Sequence, residues 1–314
     1  MHLDTIKSVF VYGAGSWGTA LASYFSSIKK KTTLFSKNPQ IAQDINLKHI
    51  NPKYLNNIIL HPDLKAIDYV PNINNFDLVV LAITSQSFDM VIDSLIDSRI
   101  DRNTKFLIAT KGFSQNPIKL ISDKFRKSLE NDFAFISGPN LAYEIAKSKY
   151  SSATISSPNL EFAKFLSKEL GSSKFIMNFS DNIITVQIAS ILKNIFAIRS
   201  GILSYEENFG ENFHASLLVE YLQEIKKLSI ACGGKTDSLI NYGILGDLIV
   251  TNYSTKSRNY KFGYNVRAKD FDVDFIENYP ILVEGFNALN LIKNFIPQGI
   301  DLPHVNSLMK LFKI

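Results

Sequence analysis

The sequence predicts an α/β fold in which a doubly wound parallel sheet is followed by an all-α C-terminal domain. Three observations carry this. A glycine-rich turn, Gly13-x-Gly15-x-x-Gly18, joins the first apolar run to a helix-forming segment. Short apolar runs then alternate with helix-like segments over roughly the first 180 residues. Beyond that point the strand signals stop and long stretches of helical periodicity take over.

In chain order, "SVFVYG" (8–13) reads as a buried strand and "GTALASYFSSI" (18–28) as a helix. "TTLFS" (32–36) and "DLVVLAI" (77–83) are further strands. "KFLIAT" (105–110) and "FAFISG" (133–138) each follow a helix-like segment. Continuous rather than alternating apolar runs suit a sheet covered by helices on both faces. The Ser-rich "SKYSSATISSP" reads as a loop and a strand. Three helices follow: "NIITVQIASILKNIFAIRSGI", "FHASLLVEYLQEIKKLSIACGG" and "FNALNLIKNF", the second stopping at Gly233–Gly234. The boundary falls at Asp181, giving domains 1–181 and 182–314, and 314 residues is a two-domain length.

Composition narrows the function classes. Apolar residues make up 46% and charged residues 20%, enough for sizeable cores. The net charge of +5 suits anionic small molecules, and no basic tract interleaved with aromatics points to nucleic acid. "IKKK" (28–31) reads as a solvated turn. A single cysteine, Cys232, rules out an intrachain disulfide framework. The five histidines show no metal-ligand spacing, so no metal is expected. The N-terminus lacks the pattern of a signal peptide, and no run has the roughly 18 apolar residues of a membrane span. A cytoplasmic protein is the expectation.

The turn after the first strand carries the first chemistry. Gly13 permits the tight turn, Gly15 lets backbone approach a pyrophosphate, and Gly18 lets the helix pack on the strand. The helix N-terminus offers free N–H groups and positive dipole to the anion. In this strand–turn–helix setting the motif points to a dinucleotide and a Rossmann-type domain. The second strand ends in "LFSKNP", with Ser36, Lys37 and Asn38 where an acid would bind an adenosine 2′-hydroxyl. That tilts the cofactor toward NADP over NAD, with Lys37 attracting a 2′-phosphate; Lys37 as a plain surface residue is the alternative.

"VQIASILKNIFAI" carries the second. At 100° per residue, Gln187, Ser190, Lys193 and Asn194 fall within about 120° on an otherwise apolar helix. Lys193 either snorkels to water or is used. Burial disfavours a charged ammonium and so fits such a lysine to exchange protons with a carbonyl oxygen. Asp247, in "GILGDLIVT", is either its partner or a helix cap. "STKSRNYKFG" concentrates Lys256, Arg258 and Lys261, and Arg258 suits a bidentate phosphate clamp, an exposed basic loop being the plain alternative. Lys111, in "ATKGF", sits just past a strand's carboxyl end, the ligand edge of open parallel sheets.

Together "GAGSWGTALA", "ATKGF", "SGPNLAYEIAK", "VQIASILKNIFAI", "GILGDLIVT", "SRNYKFG" and "VEGFNA" resemble the bacterial NAD(P)-dependent glycerol-3-phosphate dehydrogenases, over roughly residues 8 to 288. The resemblance implies reversible reduction of dihydroxyacetone phosphate to sn-glycerol 3-phosphate for phospholipid synthesis, in a homodimer. It implies cofactor contacts at Ser16, Trp17, Ala142, Leu282 and Glu284, and at Lys111 and Arg258, which also meet substrate. Gly138, Asn194, Asp247, Ser257 and Asn259 are implied on the substrate side, with Lys193 as proton donor and acceptor. The chain departs from the family pattern at Asn140, usually Ser or Thr, at "ITS" (83–85), at His214 and "LLVEYL", and in a short C-terminus. A related 3-hydroxyacid or ketopantoate-type reductase, which also carries a helical lysine near an asparagine, is the competing expectation.

Overall fold

The computed structural model describes residues 4–314. The chain forms two compact units. One comprises the residues through Gln115 together with Ile121–Ile183; the other comprises Asn116–Leu120 and Ile184–Ile314.

The first unit is built on an eight-stranded sheet. Its strands are β1 (Ser8–Tyr12), β2 (Lys31–Phe35), β3 (Lys65–Ile67), β4 (Leu78–Leu81), β5 (Lys105–Ile108), β8 (Phe133–Ser137), β9 (Ser151–Ser156) and β10 (Phe175–Ser180). Two three-residue strands, β6 (Phe113–Gln115) and β7 (Ile118–Leu120), lie between β5 and β8 in the chain. The sheet order is β10-β9-β8-β5-β4-β1-β2-β3. Every neighbouring pair is parallel except β8–β9, which is antiparallel.

Alternation along the strands supplies both faces. Val9, Val11, Leu34, Val80 and Leu107 join one apolar cluster with the helices α1 (Ser16–Ser27), α2 (Pro39–Lys48), α5 (Ala142–Ala146) and α6 (Leu160–Leu170). The helices α3 (Ser85–Asp97) and α4 (Ile121–Ser128) pack together, and Phe125 of α4 meets Phe106 edge to face and Phe133 at a tilt, with ring centroids 5.1 and 4.7 Å apart. Both faces are therefore covered, which is why the strands read as unbroken apolar runs. Strand order reverses at β1, which lies between β2 and β4. The carboxyl ends of β1, β2 and β4 are in register at Tyr12, Phe35 and Leu81, and this is the crevice where open α/β sheets bind ligands.

Three features differ from expectation. The edge strand β3 and the edge strand β10 gave no strand signal, one being too short and the other mixing Asn178 and Ser180 with half-exposed apolar residues. The "IKKK" run is not simply solvated. Lys30 bonds the Glu169 carboxylate at 2.9 Å and the Ile6 carbonyl at 2.7 Å, with its side chain 12% exposed. Finally, the first helix starts at Ser16, inside the glycine motif.

The second unit holds the helices α7 (Ile183–Leu203), α8 (Glu211–Ala231), α9 (Asp247–Tyr253), α10 (Arg258–Ala268), α11 (Val273–Glu277), α12 (Glu284–Ile292) and α13 (Pro303–Phe312). By length and mean hydropathy α7 is apolar enough to cross a membrane, although Lys193, Asn194 and Arg199 interrupt its apolar run. Its apolar window is 89% buried within the protein, so α7 is greasy all round because other helices surround it. Phe196 of α7 stacks face to face on Tyr221 of α8, centroids 4.2 Å apart. Contact with α10 is closer still. A Cβ on Gly201 would lie 2.0 Å from the Tyr260 carbonyl oxygen, and one on Gly263 would lie 2.0 Å from that of Ile198. Only glycines allow these backbones to touch.

Candidate active site

In the first unit the glycine turn divides into two kinds of glycine. Gly13 has φ +115°, and a Cβ there would sit 2.5 Å from the Ala82 carbonyl oxygen. A Cβ on Gly18 would sit 1.9 Å from the Gly13 carbonyl oxygen. These two are required by the protein's own packing. Gly15 has an ordinary φ of −69° and nothing within 4 Å of a Cβ. The protein's own packing therefore does not require a glycine at this position. The α1 N-terminus has no side-chain cap bond and no acid in its first turn, so its N–H groups and dipole are open to an anion. The cradle therefore fits a pyrophosphate.

Around it, Ser16 donates from Oγ to the Tyr54 carbonyl at 2.9 Å, and the Trp17 indole Nε1 is buried with no bonding partner. Lys37 is exposed directly after β2, beside Asn38, which caps α2 by accepting from the Gln40 amide at 2.9 Å. Lys111 follows the carboxyl end of β5. Thr110 Oγ1 ties that end to β4, donating to the Leu81 carbonyl at 3.0 Å and accepting from the Ile83 amide at 3.2 Å. Gly138 lies against β9, where a Cβ would meet the Ser152 carbonyl oxygen at 2.5 Å. The departing residue Asn140 is buried with its Nδ2 unpartnered, and Ala142 opens α5, which packs on α1.

Sequence reading missed one residue here. Asn51 is fully buried, and its Nδ2 holds the Ala14 carbonyl at 3.0 Å and Thr19 Oγ1 at 2.8 Å. It clamps the turn from a loop whose sequence has no periodicity. Its partners lie more than thirty residues away, at 37 and 32 positions, so nothing local signals the role.

In the second unit Lys193 does not snorkel to water. Lys193 is 6% exposed and its ammonium bonds the carboxylate of Asp247, itself 2% exposed. Asp247 leaves a π-helical turn, Tyr242–Gly246, and opens α9. Thr251, one turn on, reaches the same carboxylate oxygen at 3.5 Å. Beside Lys193, the Asn194 carbonyl oxygen Oδ1 accepts from Asn259 Nδ2 at 2.9 Å, and Asn259 Oδ1 accepts from the Gly285 amide at 2.9 Å. A Cβ on Gly285 would sit 2.3 Å from the Asn194 backbone oxygen, so α7, α10 and α12 are pinned at one point. Glu284, the first residue of α12, is exposed there, as is Leu282. Ser190 and Gln187 close the stripe locally, with Ser190 Oγ donating to the Gln187 carbonyl at 2.7 Å.

Ser257 caps α10, its Oγ accepting from the Tyr260 amide at 3.4 Å. Arg258 is the exposed first residue of that helix, and no acid lies in the first turn. A cation at the positive end of a helix dipole is unfavourable on its own. An incoming phosphate reverses that, because guanidinium and helix N–H groups then face the same anion.

A profile described as the NAD-dependent glycerol-3-phosphate dehydrogenase N-terminus matches residues 8–163, and one for the C-terminus of the same enzyme matches residues 182–313. The glycerol-3-phosphate dehydrogenase (NAD(P)+) of Rickettsia bellii (strain OSU 85-389) is 42% identical over 311 residues, 98% of either chain. That of Rickettsia typhi is 39% identical over 314 residues, again 98% of either chain. The crystal structure of glycerol-3-phosphate dehydrogenase from Coxiella burnetii is 27% identical with a TM-score of 0.88, covering 98% of this chain and 94% of that one. A probable 2-dehydropantoate 2-reductase from Bacillus subtilis shares the fold alone, at 15% identity and a TM-score of 0.61, over 98% of this chain and 99% of that one. The chain belongs to the NAD-dependent glycerol-3-phosphate dehydrogenase family.

Proposed function

We propose that the chain catalyses the reversible reduction of dihydroxyacetone phosphate to sn-glycerol 3-phosphate, using NADPH or NADH, to supply phospholipid synthesis. The observation that carries this is the buried Lys193–Asp247 pair, set beside the Asn194–Asn259 bond in a chain of this family. Residues 1–181 act as the dinucleotide domain and 182–314 as the substrate and catalytic domain.

A reduced nicotinamide, when bound at the cradle, would supply the hydride. Gly13, Gly15, Gly18, Ser16 and Trp17 hold the pyrophosphate side, and Ala142, Leu282 and Glu284 contribute further contacts. Lys193 gives its proton to the carbonyl oxygen, so that one hydride and one proton complete the alcohol. Asp247 then faces a neutral amine as a buried carboxylate, which favours reprotonation of Lys193 and resets the site. Arg258 and the α10 N-terminus hold the phosphate, while Lys111, Gly138, Asn194, Ser257 and Asn259 orient the triose. In the reverse direction Lys193 accepts the alcohol proton. The enzyme works as a cytoplasmic homodimer in this reading, which rests on family membership.

Steady-state kinetics test it. Purified protein oxidises NADPH or NADH when given dihydroxyacetone phosphate, and no turnover with either cofactor overturns the assignment. Competition by glycerol 3-phosphate but not by 2-keto acids separates it from a ketopantoate-type reductase, whose substrate offers Arg258 no phosphate. Lys37 sets the cofactor preference: Lys37→Glu moves the NADPH-to-NADH ratio of kcat/KM toward NADH by roughly 10-fold, from loss of one charge pair near the surface.

A further inference from the structure

We propose that Asn252 is a positioning residue for Lys193, acting through the registry of α9 on α7; this rests on the catalytic reading of Lys193 given above.

Asn252 is 3% exposed and lies five residues after Asp247. Its Nδ2 donates to the Leu248 carbonyl at 2.8 Å, within its own helix, and at the longer distance of 3.4 Å to the backbone carbonyl of Lys193. Its Oδ1 accepts from Ser200 Oγ of α7 at 3.0 Å. Lys193 and Ser200 are seven residues apart and so share one face of α7. Two polar links therefore cross from α9 to this face. Asp247 holds the Lys193 ammonium, and Asn252 holds the helix that carries it.

The amide can stand only one way round. Two carbonyls face Nδ2, and a carbonyl only accepts, so a flipped amide would set Oδ1 against both. The Ser200 hydroxyl spends its single proton on Oδ1, which leaves its oxygen to accept from the Tyr221 hydroxyl 3.4 Å away. Tyr221 is a donor here, because burial raises its phenol above the ordinary range and keeps it protonated. Donor and acceptor roles thus run in one direction from α8 through α7 and α9 to the Lys193 backbone. Buried and complete, such a chain resists sliding of α9 along α7. Sliding would pull Asp247 off the ammonium.

Full-length enzyme tests this with Asn252→Leu, which keeps volume and removes both Asn252 bonds to α7, and with Ser200→Ala. Wild-type turnover is measured first; its absence overturns the reaction assigned above, not this proposal. Asn252→Leu is expected to lower kcat for dihydroxyacetone phosphate by about 10- to 100-fold with KM changed less than about 3-fold, the signature of a transition-state loss. The alkaline midpoint of the kcat profile moves to lower pH, because a loosened Asp247 holds the Lys193 proton less well. Ser200→Ala shifts both readouts the same way by less, and the double variant is no worse than Asn252→Leu alone. A folded Asn252→Leu with unchanged kcat and unchanged pH midpoint overturns the proposal, as does lost stability with normal kcat per folded molecule. Should Asn252→Leu fail to fold, an unchanged midpoint in Ser200→Ala overturns it. Without turnover, the pH dependence of Lys193 acylation by acetic anhydride, read by mass spectrometry, gives the same midpoint, and an unchanged midpoint again overturns the proposal.

Discussion

The glycine turn and the Lys193 helix are built by opposite means. The turn works with backbone. Its tight approach of Gly18 to Gly13, its open space over Gly15 and its uncapped α1 N-terminus are backbone features, braced from outside by the Asn51 side chain. The Lys193 helix works with side chains. Its ammonium, carboxylate and paired asparagines come from α7, α9, α10 and α12, at sequence separations of 54 and 65 residues for the two central bonds. A backbone site is written in adjacent residues and tolerates almost no change of them. A side-chain site is written across the fold, and each group can be removed singly.

The strongest way to break this contrast is Lys193→Ala. It removes the proposed proton donor and leaves the backbone cradle intact. Expect kcat to fall by about 1,000-fold or more, with the dissociation constant for reduced cofactor, followed by nicotinamide fluorescence, changed less than about 3-fold. Normal turnover refutes the assigned role. Parallel loss of cofactor binding refutes the separation of the two sites.

Gly15→Ala tests the other side. Because Gly15 has an ordinary φ and free space around it, the added methyl should leave the melting temperature within about 2 °C of wild type. Cofactor affinity should fall by about 10-fold or more, because the methyl occupies the approach of the pyrophosphate. Unchanged affinity means the space serves no ligand. A large drop in stability means Gly15 is structural like Gly13.

A smaller effect sharpens the picture of buried charge in the second unit. Glu224 of α8 accepts from the His304 amide at 2.6 Å and caps the start of α13, with its other oxygen buried and unpartnered. Burial pushes its carboxyl up to about 7, with Asp301 adding to the rise; the His304 and Val305 amides and Arg199 pull against it. The folded state therefore holds this proton more tightly than the unfolded chain does. Stability from this group is complete below about pH 4.5 and declines as pH rises to about 7, by roughly 3 kcal/mol in all. His304, which burial holds below the usual imidazole range, contributes with the opposite sign. Glu224→Gln should flatten the decline, measured by urea unfolding between pH 5 and 8. An unaltered slope refutes the assignment to Glu224.

How much was legible follows the same division. The roles of Gly13 and Gly18 were readable because the strand, the turn and the helix that demand them lie within about a dozen residues. The helix carrying Lys193 was readable as well, but its lysine was equally a snorkelling residue until Asp247 was found against it. Asn51 and Asn252 were not readable, since an isolated asparagine in a loop or on a short helix has no periodic signature. Lys30 was misread for the same reason. A lysine run looks solvated unless the distant Glu169 is known to reach it. The apolarity of α7 carried the opposite ambiguity: a helix enclosed by protein and a helix enclosed by lipid need the same side chains.

By itself the sequence determined the alternation of central strands and helices in the first unit, the glycine turn and the presence of a polar stripe on an apolar helix. These depend on the periods of strand and helix and on the conformational freedom of glycine, all local properties of the chain. Tertiary structure alone decided that Asp247 meets Lys193 rather than only opening a helix, which amides hold the helices in registry, and which glycine the protein's own packing does not require. Those depend on burial, where a polar group must find its partner wherever the fold brings one.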